Sequence, residues 1–287
     1  MRDCADTPIN LAYWRFQADP TGIGASLGYA QAAYDDRRWR EVRAPVDFET
    51  CHPALDTYEG AGWFRHRLTA PEAWSGRRIV LRLEGVNARA VVWVNGAEVG
   101  RCTDPFLPFE IEIQEALVPG DQNLIAVRVD NVRQQGEVPG MQRGWRNYGG
   151  LLREVTIRAT DLCHLASVAC VATPTETGGH LQVTATVQND RPLDVEIALA
   201  AEVGDGTGQL LVTLPPVRRG LAAGASVASA LTSDVPHALP WSPDQPNRYE
   251  LRVTLLAGGE MVGSRTLKIG FRTIEARGPM LYLNGSP

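Results

Sequence analysis

The stretch "MQRGWRNYGGLLREVTI", Met141 to Ile157, gathers Trp145, Arg146, Asn147 and Tyr148 before a Gly-Gly pair and a strand-like run. Aromatic rings beside planar hydrogen-bonding groups suit a sugar: the ring stacks on a C–H face while the amide and guanidinium bind hydroxyls. The same side chains would equally serve to pack their own loop, and composition does not separate the two. Carboxylates are the other resource, at Asp35, Asp36, Glu110, Glu112, Asp130 and Glu154. Two acids held about 5–9 Å apart across a bond could hydrolyse a glycoside, but the spacing along the chain creates no such pair. Asp35-Asp36 in "YDDRRWRE" reads as a solvated turn. Glu110 and Glu112 alternate with Phe109, Ile111 and Ile113, which puts them on the wet face of a strand. No residue is assigned as catalytic.

Cofactor and metal chemistry find no support. Cys4, Cys51, Cys102, Cys163 and Cys170 are odd in number and scattered, without a C-x-x-C, and read as free thiols of a reducing compartment. His52, His66, His164, His180 and His237 are equally dispersed, so no ligand cluster forms. "GIGASLG", Gly22 to Gly28, is G-x-G-x-x-x-G with no preceding parallel strand, and reads as a flexible loop rather than a dinucleotide site. "NGS" at Asn284 to Ser286 fits a glycosylation acceptor, but without a secretory signal that match is chance. A net charge of −5 and a sequence pI near 5.6 argue against nucleic acid, which needs a basic stripe. No apolar run approaches the length of a membrane span. The N-terminus lacks an apolar signal core, and cytoplasmic location is the expectation.

The elements that position these residues are strands. In "LQVTATVQN", Leu181, Val183, Ala185 and Val187 face one way and Gln182, Thr184, Thr186 and Gln188 the other; "NLIAVRVDN" and "YELRVTLL" behave alike. Such alternation marks antiparallel sheets with one buried and one wet face. Turn signals fall between the runs, at Asn95-Gly96, Pro119-Gly120-Asp121, Gly178-Gly179 and Gly258-Gly259. Asn95-Gly96 supplies the two positive-φ residues of a tight hairpin. The expected fold is all-β, with two blocks. Residues 1–160 hold every tryptophan but Trp241 and are too long for an immunoglobulin-like unit; they fit a jelly-roll β-sandwich. Residues 161–273, richer in Ala, Val, Thr and Leu, offer about seven strands and fit an immunoglobulin-like β-sandwich. The boundary falls near Thr160-Asp161.

Taken in order, several stretches resemble the N-terminal part of glycoside hydrolase family 2, the family of β-galactosidases, β-glucuronidases and β-mannosidases. "LAYWRFQADP" and "YDDRRWREVRAPVDF" resemble the opening of its sugar-binding domain. "GAGWFRHRLTAP" resembles its Gly-x-Trp-Tyr-Arg strand, and "LRLEGVNARAVVWVNGAEVGRCTDPFLPFEIEI" its Val-Asn-Gly hairpin and Pro-Phe-Glu strand. "NYGGLLREVTI" resembles the strand closing that domain. "WSPDQPNRYELRVTL" and "GFRTIEARGPMLYLNGSP" resemble the end of the immunoglobulin-like domain and the entry to a catalytic barrel.

The resemblance implies a (β/α)₈ barrel carrying two catalytic glutamates, one acid and one nucleophile, with retention. Such a barrel takes about 250 residues, and only 17 follow Gly270. The chain is therefore expected to be truncated before the barrel and inactive alone. Residues 274–287 would begin the barrel, with Met280 to Pro287 opening a hairpin into it. The partners implied are a β-glycoside substrate and the barrel in cis; a homo-oligomer stays open. Members resembling β-glucuronidase carry Asp-Phe-Phe-Asn-Tyr-Ala-Gly-Ile before the closing strand, the Asp reaching substrate. Here the run is Gly144, Trp145, Arg146, Asn147, Tyr148, Gly149, Gly150, Leu151. Asn147, Tyr148 and Gly150 match, and the Asp position is Gly144. The galactoside or glucuronide assignment thus loses one contact, and Arg146 becomes a candidate for a different or acidic substrate. The alternative is a stand-alone carbohydrate-binding or interaction module.

Overall fold

A computed structural model describes residues 8–105, 107–137, 141 and 146–287. The chain divides into two compact units meeting at Ala159-Thr160, and each is almost wholly β. Among the described residues no helix is long and apolar enough to cross a membrane.

The first unit contains, in order, β1 (Ile9–Asn10), β2 (Tyr13–Asp19), β3 (Arg40–Arg43), β4 (Val46–Asp47), the helical turn α1 (Phe48–Cys51), β5 (Ala61–Thr69), β6 (Arg78–Leu83), β7 (Val86–Asn87), β8 (Arg89–Val94), β9 (Ala97–Cys102), β10 (Phe109–Glu112), β11 (Gln122–Asp130), β12 (Gly150–Leu151) and β13 (Val155–Thr160). One sheet runs β1-β13-β6-β10 and a second β3-β2-β5-β11-β8-β9, while β4-β12-β7 forms a small third sheet. Ile79, Leu81 and Ile157 of the first sheet share a core with Phe64, Val92, Ile125 and Val127 of the second. Each such side chain contributes about 1.5–3 kcal/mol on leaving water. Asn95 and Gly96 do take positive φ, 52° and 87°. The Asn95 side chain also accepts from Leu124 N at 2.9 Å and donates to Ala116 O, tying the hairpin to β11.

Strand β5 has two buried faces, which a one-sided reading of its alternation does not anticipate. Phe64 enters the sandwich core, and its neighbour Trp63 therefore points to the opposite face. There it stacks on Trp93, with ring centroids 5.0 Å apart, under a layer that includes Tyr29 and Trp39. Two segments expected to be solvated or flexible form this layer. The Asp19 carboxylate accepts from Ile23 N at 3.0 Å, Gly24 N at 2.9 Å and Trp63 Nε1 at 3.0 Å, so "GIGASLG" is held down on the sheet. Asp35 is exposed and pairs with Arg37, but Asp36 is buried. Arg65 Nε donates to Asp36 at 2.7 Å, with side chains 0% and 8% exposed. The remaining N–H groups of Arg65 bind the carbonyls of Tyr29, Gln31 and Tyr34, and its guanidinium lies 5.5 Å from the Tyr34 ring and 5.6 Å from that of Trp39. A buried ion pair is tolerated when hydrogen bonds satisfy it this fully, and here it anchors a 20-residue excursion to β5.

The second unit holds seven long strands: β14 (Cys163–Thr175), β15 (Gly178–Asn189), β16 (Val195–Gly204), β17 (Leu210–Leu221), β18 (Ser226–Pro236), β19 (Tyr249–Ala257) and β20 (Glu260–Ile269). They form sheets β14-β15-β18 and β17-β16-β19-β20, the three-plus-four division of an immunoglobulin-like sandwich. Leu181, Val183, Ala185 and Val187 all point inward, as their alternation predicts. Tyr249 Oη accepts from Leu239 N at 2.7 Å, the tyrosine corner of such sandwiches at the start of β19. A hairpin follows, β21 (Ile274–Arg277) with β22 (Met280–Leu283). Met280 to Leu283 thus pairs backward with Ile274 to Arg277. Asn284-Gly285 is a further turn closed by a Leu283–Ser286 bridge. Asn284 fastens it to the sandwich, accepting from Thr273 N at 2.9 Å and donating to Trp241 O at 3.0 Å.

Candidate functional site

Arg146, Asn147 and Tyr148 precede β12, which lies between β4 and β7 with α1 close by. Helical turn α1 begins there because Asp47 caps it, accepting from Thr50 N at 2.7 Å. The Gly-Gly pair has two separate causes. A Cβ on Gly149 would lie 2.4 Å from the Phe48 ring, and Gly149 O accepts from Phe48 N at 2.8 Å. Gly150 takes a φ of 142°, where a Cβ would meet Val46 O at 2.4 Å. Glycine at both positions lets β12 lie directly against β4.

Of the four residues read as the sugar-binding candidates, Arg146, Asn147 and Tyr148 are brought together here. Trp145, and the Gly144 that replaces the family's Asp, lie outside the described residues. Asn147 is engaged by its own protein: its Nδ2 donates to Asn131 O, and Asn131 Nδ2 donates back to Asn147 O at 3.0 Å. Asn131 also donates to Tyr58 O at 3.0 Å and accepts from Gly60 N at 2.8 Å. One buried amide thus joins the end of β11, the entry to β5 and the loop. Asn87 Nδ2 donates to Tyr148 O, fixing the next residue. Arg146 pairs with Glu49, at 3.2 Å, and with Asp56. Tyr148 is 44% exposed, its ring at the rim.

Two cavities flank this lock. The smaller, about 130 Å³, lies between α1 and the loop and is lined by Phe48, Leu55, Tyr58, Arg146 and Tyr148 among others. Burial pushes the Tyr58 hydroxyl up to about 12, so it stays protonated, donating to Ala61 O at 2.8 Å. The larger, about 500 Å³, lies on the other side of Asn147 and is lined by Asn87, Thr103, Asp104, Arg133 and Glu137. The arginines at this end have protein carboxylates beside them: Arg133 has Glu59 at 3.1 Å, and Arg89 has Asp130 at 3.1 Å and Glu137. Charge is thus locally matched, and the chemistry offered is hydrogen bonding from amides, hydroxyls and paired ions beside aromatic surface. Among the described residues no cluster of three metal-ligating side chains occurs. Asn131, Asn87, Glu49 and Asp56 escaped the sequence reading. Asn131 ends the run "NLIAVRVDN", and a polar residue closing a buried strand was the available signal.

Comparison with known proteins agrees with this architecture. Residues 13–160 match the family model "Glycosyl hydrolases family 2, sugar binding domain", and residues 163–272 match "Glycosyl hydrolases family 2". The chain is 28% identical over 292 residues to a β-glucuronidase of Paenibacillus borealis, covering 95% of this chain and 46% of that protein. It is 27% identical over 239 residues to a β-galactosidase of Thermoanaerobacter pseudethanolicus, covering 81% and 31%. The structure of Bacteroides uniformis β-glucuronidase 2, covalently bound to cyclophellitol-6-carboxylate aziridine, superposes with a TM-score of 0.83 at 25% identity. That match covers 98% of this chain and 34% of the other. The chain thus spans less than half the length of each of these relatives. With consecutive models covering both sandwiches, the chain belongs to glycosyl hydrolases family 2, carrying its sugar-binding domain and the immunoglobulin-like domain that follows.

Proposed function

We propose that this chain is the non-catalytic N-terminal portion of a β-glycosidase. In this reading the catalytic acid pair resides on a barrel outside these residues, the two sandwiches buttress that barrel, and the end of the first sandwich lends a loop to the substrate pocket. The observation that carries it is the Asn131–Asn147 interlock. A buried amide spent on fixing one loop, with cavities on both sides and Tyr148 at the rim, is how a binding surface is preorganised. The protein carboxylates on Arg146 turn it from a free cation into a polar wall, so Arg146 serves to shape the loop more than to seek an acidic sugar. The glycosidase names of the relatives give the substrate class, a β-glycoside.

A stand-alone carbohydrate-binding module would use the same surface without a barrel, and the family's "sugar binding domain" description favours keeping this second reading. Both are tested by titrating the ¹⁵N-labelled 287-residue chain with methyl β-galactoside and methyl β-glucuronide. A single lent loop predicts weak binding, with a Kd on the order of millimolar or above, and amide shifts centred on Asn147, Tyr148 and Gly149. A Kd in the low micromolar range, about 7–8 kcal/mol of binding, would favour the stand-alone module. Shifts only in residues distant from this loop would overturn both.

A further inference from the structure

The second unit carries a cavity of about 500 Å³ whose wall, among the described residues, contains Arg248, Lys268 and Arg272 and no carboxylate. The strand period explains the convergence. Ile269 and Phe271 are buried in the core, so Lys268, Gly270 and Arg272 turn to the opposite face. Arg248 stands immediately before Tyr249, which pairs with Ile269 in the ladder, and so joins that face from the next strand. Trp241 closes the floor: a Cβ on Gly270 would approach it to 3.0 Å, and the Arg272 guanidinium lies 4.6 Å from its ring centroid. Glu250, opposite Lys268 in the ladder, lies near Arg252 instead, at 3.8 Å.

This differs from the arginines of the first unit's loop end, each of which has a protein carboxylate beside it. Three cations converging with no carboxylate among the described lining residues, in a chain of net charge −5, leave a concentrated positive field over a low-dielectric floor. Two guanidinium forks and an ammonium present donors in the geometry that carboxylates accept, and the volume lies in the range of small-ligand sites. We propose that this cavity is a carboxylate-binding site, distinct from the loop end of the first sandwich. The carboxylate can arrive on a free acidic sugar or on an acidic side chain of another polypeptide segment. Lys268 and Arg272 grip it, and Trp241 supplies the apolar floor for the carbon skeleton behind it.

The test is an amide-and-indole NMR titration of the 287-residue chain at low ionic strength with sodium glucuronate, with glucose, and with a glutamate-rich hexapeptide, each against matched sodium chloride. Glucuronate is expected to shift the Trp241 indole and Gly270 amide, and glucose to leave them unmoved. Lys268→Met and Arg272→Met each weaken binding about tenfold, the loss of one charge-assisted contact, with an unchanged melting temperature. Shifts from the hexapeptide alone keep the site and identify its source as a side chain. Equal shifts with glucose, no shift with either acid, or unaltered binding in both variants overturns the proposal. Glucuronate shifts confined to Asn147 and Tyr148 overturn it too, while favouring the loop end as the sugar site.

Discussion

The two sandwiches spend their buried polar groups differently. In the first, the Arg65–Asp36 pair, Asp19, Asn131 and Asn87 each fasten a long connection to a strand. In the second, the long strands are mostly joined by short turns, and among the described residues one buried amide, Asn189, ties its neighbouring loops by donating to Leu193 O, Leu221 O and Ala222 O. A fold needs apolar alternation to be stable, and the second unit rests mainly on that, with Asn189 and the Tyr249 corner as its polar ties. The extra polar hubs of the first cost desolvation and return a fixed loop geometry.

The contrast can be broken first at Arg65. Replacing it with Met leaves Asp36 buried without its partner, and the first unit is expected to lose about 3–5 kcal/mol. In urea unfolding followed by tryptophan fluorescence, the Arg65→Met, Asp36→Asn double variant should recover part of that loss. Equal stability of wild type and Arg65→Met would show that the hub anchors nothing.

Next in size is Asn131→Ala, expected to cost about 1–3 kcal/mol because Gly60 N and the Tyr58 and Asn147 carbonyls lose their shared partner. A double-mutant cycle with Asn147→Ala should show coupling of about 0.5–3 kcal/mol, and additive losses would dissolve the proposed lock. Tyr249→Phe in the second unit removes one hydrogen bond and should cost only about 0.5–1.5 kcal/mol. Smallest is Arg146→Met, whose partly exposed pairs with Glu49 and Asp56 predict less than about 1 kcal/mol. A loss several times larger would move Arg146 from the rim into the structural core of the site.

Most of the fold was legible because period 2 is a local signal. Leu181, Val183, Ala185 and Val187 face inward as their alternation predicts, and Asn95-Gly96 turns where it should. What the sequence hid was long-range. Asp36 looked solvated because its neighbours are arginines, yet its partner is Arg65, 29 residues away across the sheet. Trp63 and Phe64, adjacent on one strand, cannot share a face, and the second aromatic layer that receives Trp63 is assembled from residues far away in the chain. At the candidate site, Asn147 and Tyr148 stood out through the family pattern. Asn131 did not, since its role depends on a partner 16 positions later. The Gly149-Gly150 pair was visible, but its two distinct causes are set by Phe48 and Val46, which only the folded chain brings near.

In the proposed function the two sandwiches shape a glycoside site without supplying the reacting carboxylates. Incubating the purified 287-residue chain with nitrophenyl β-galactoside and β-glucuronide tests it most directly. Nitrophenol is expected to be released at the rate of buffer alone. Turnover above that rate, abolished by a single carboxylate substitution within these residues such as Glu49→Gln, Glu59→Gln or Glu137→Gln, would contradict it.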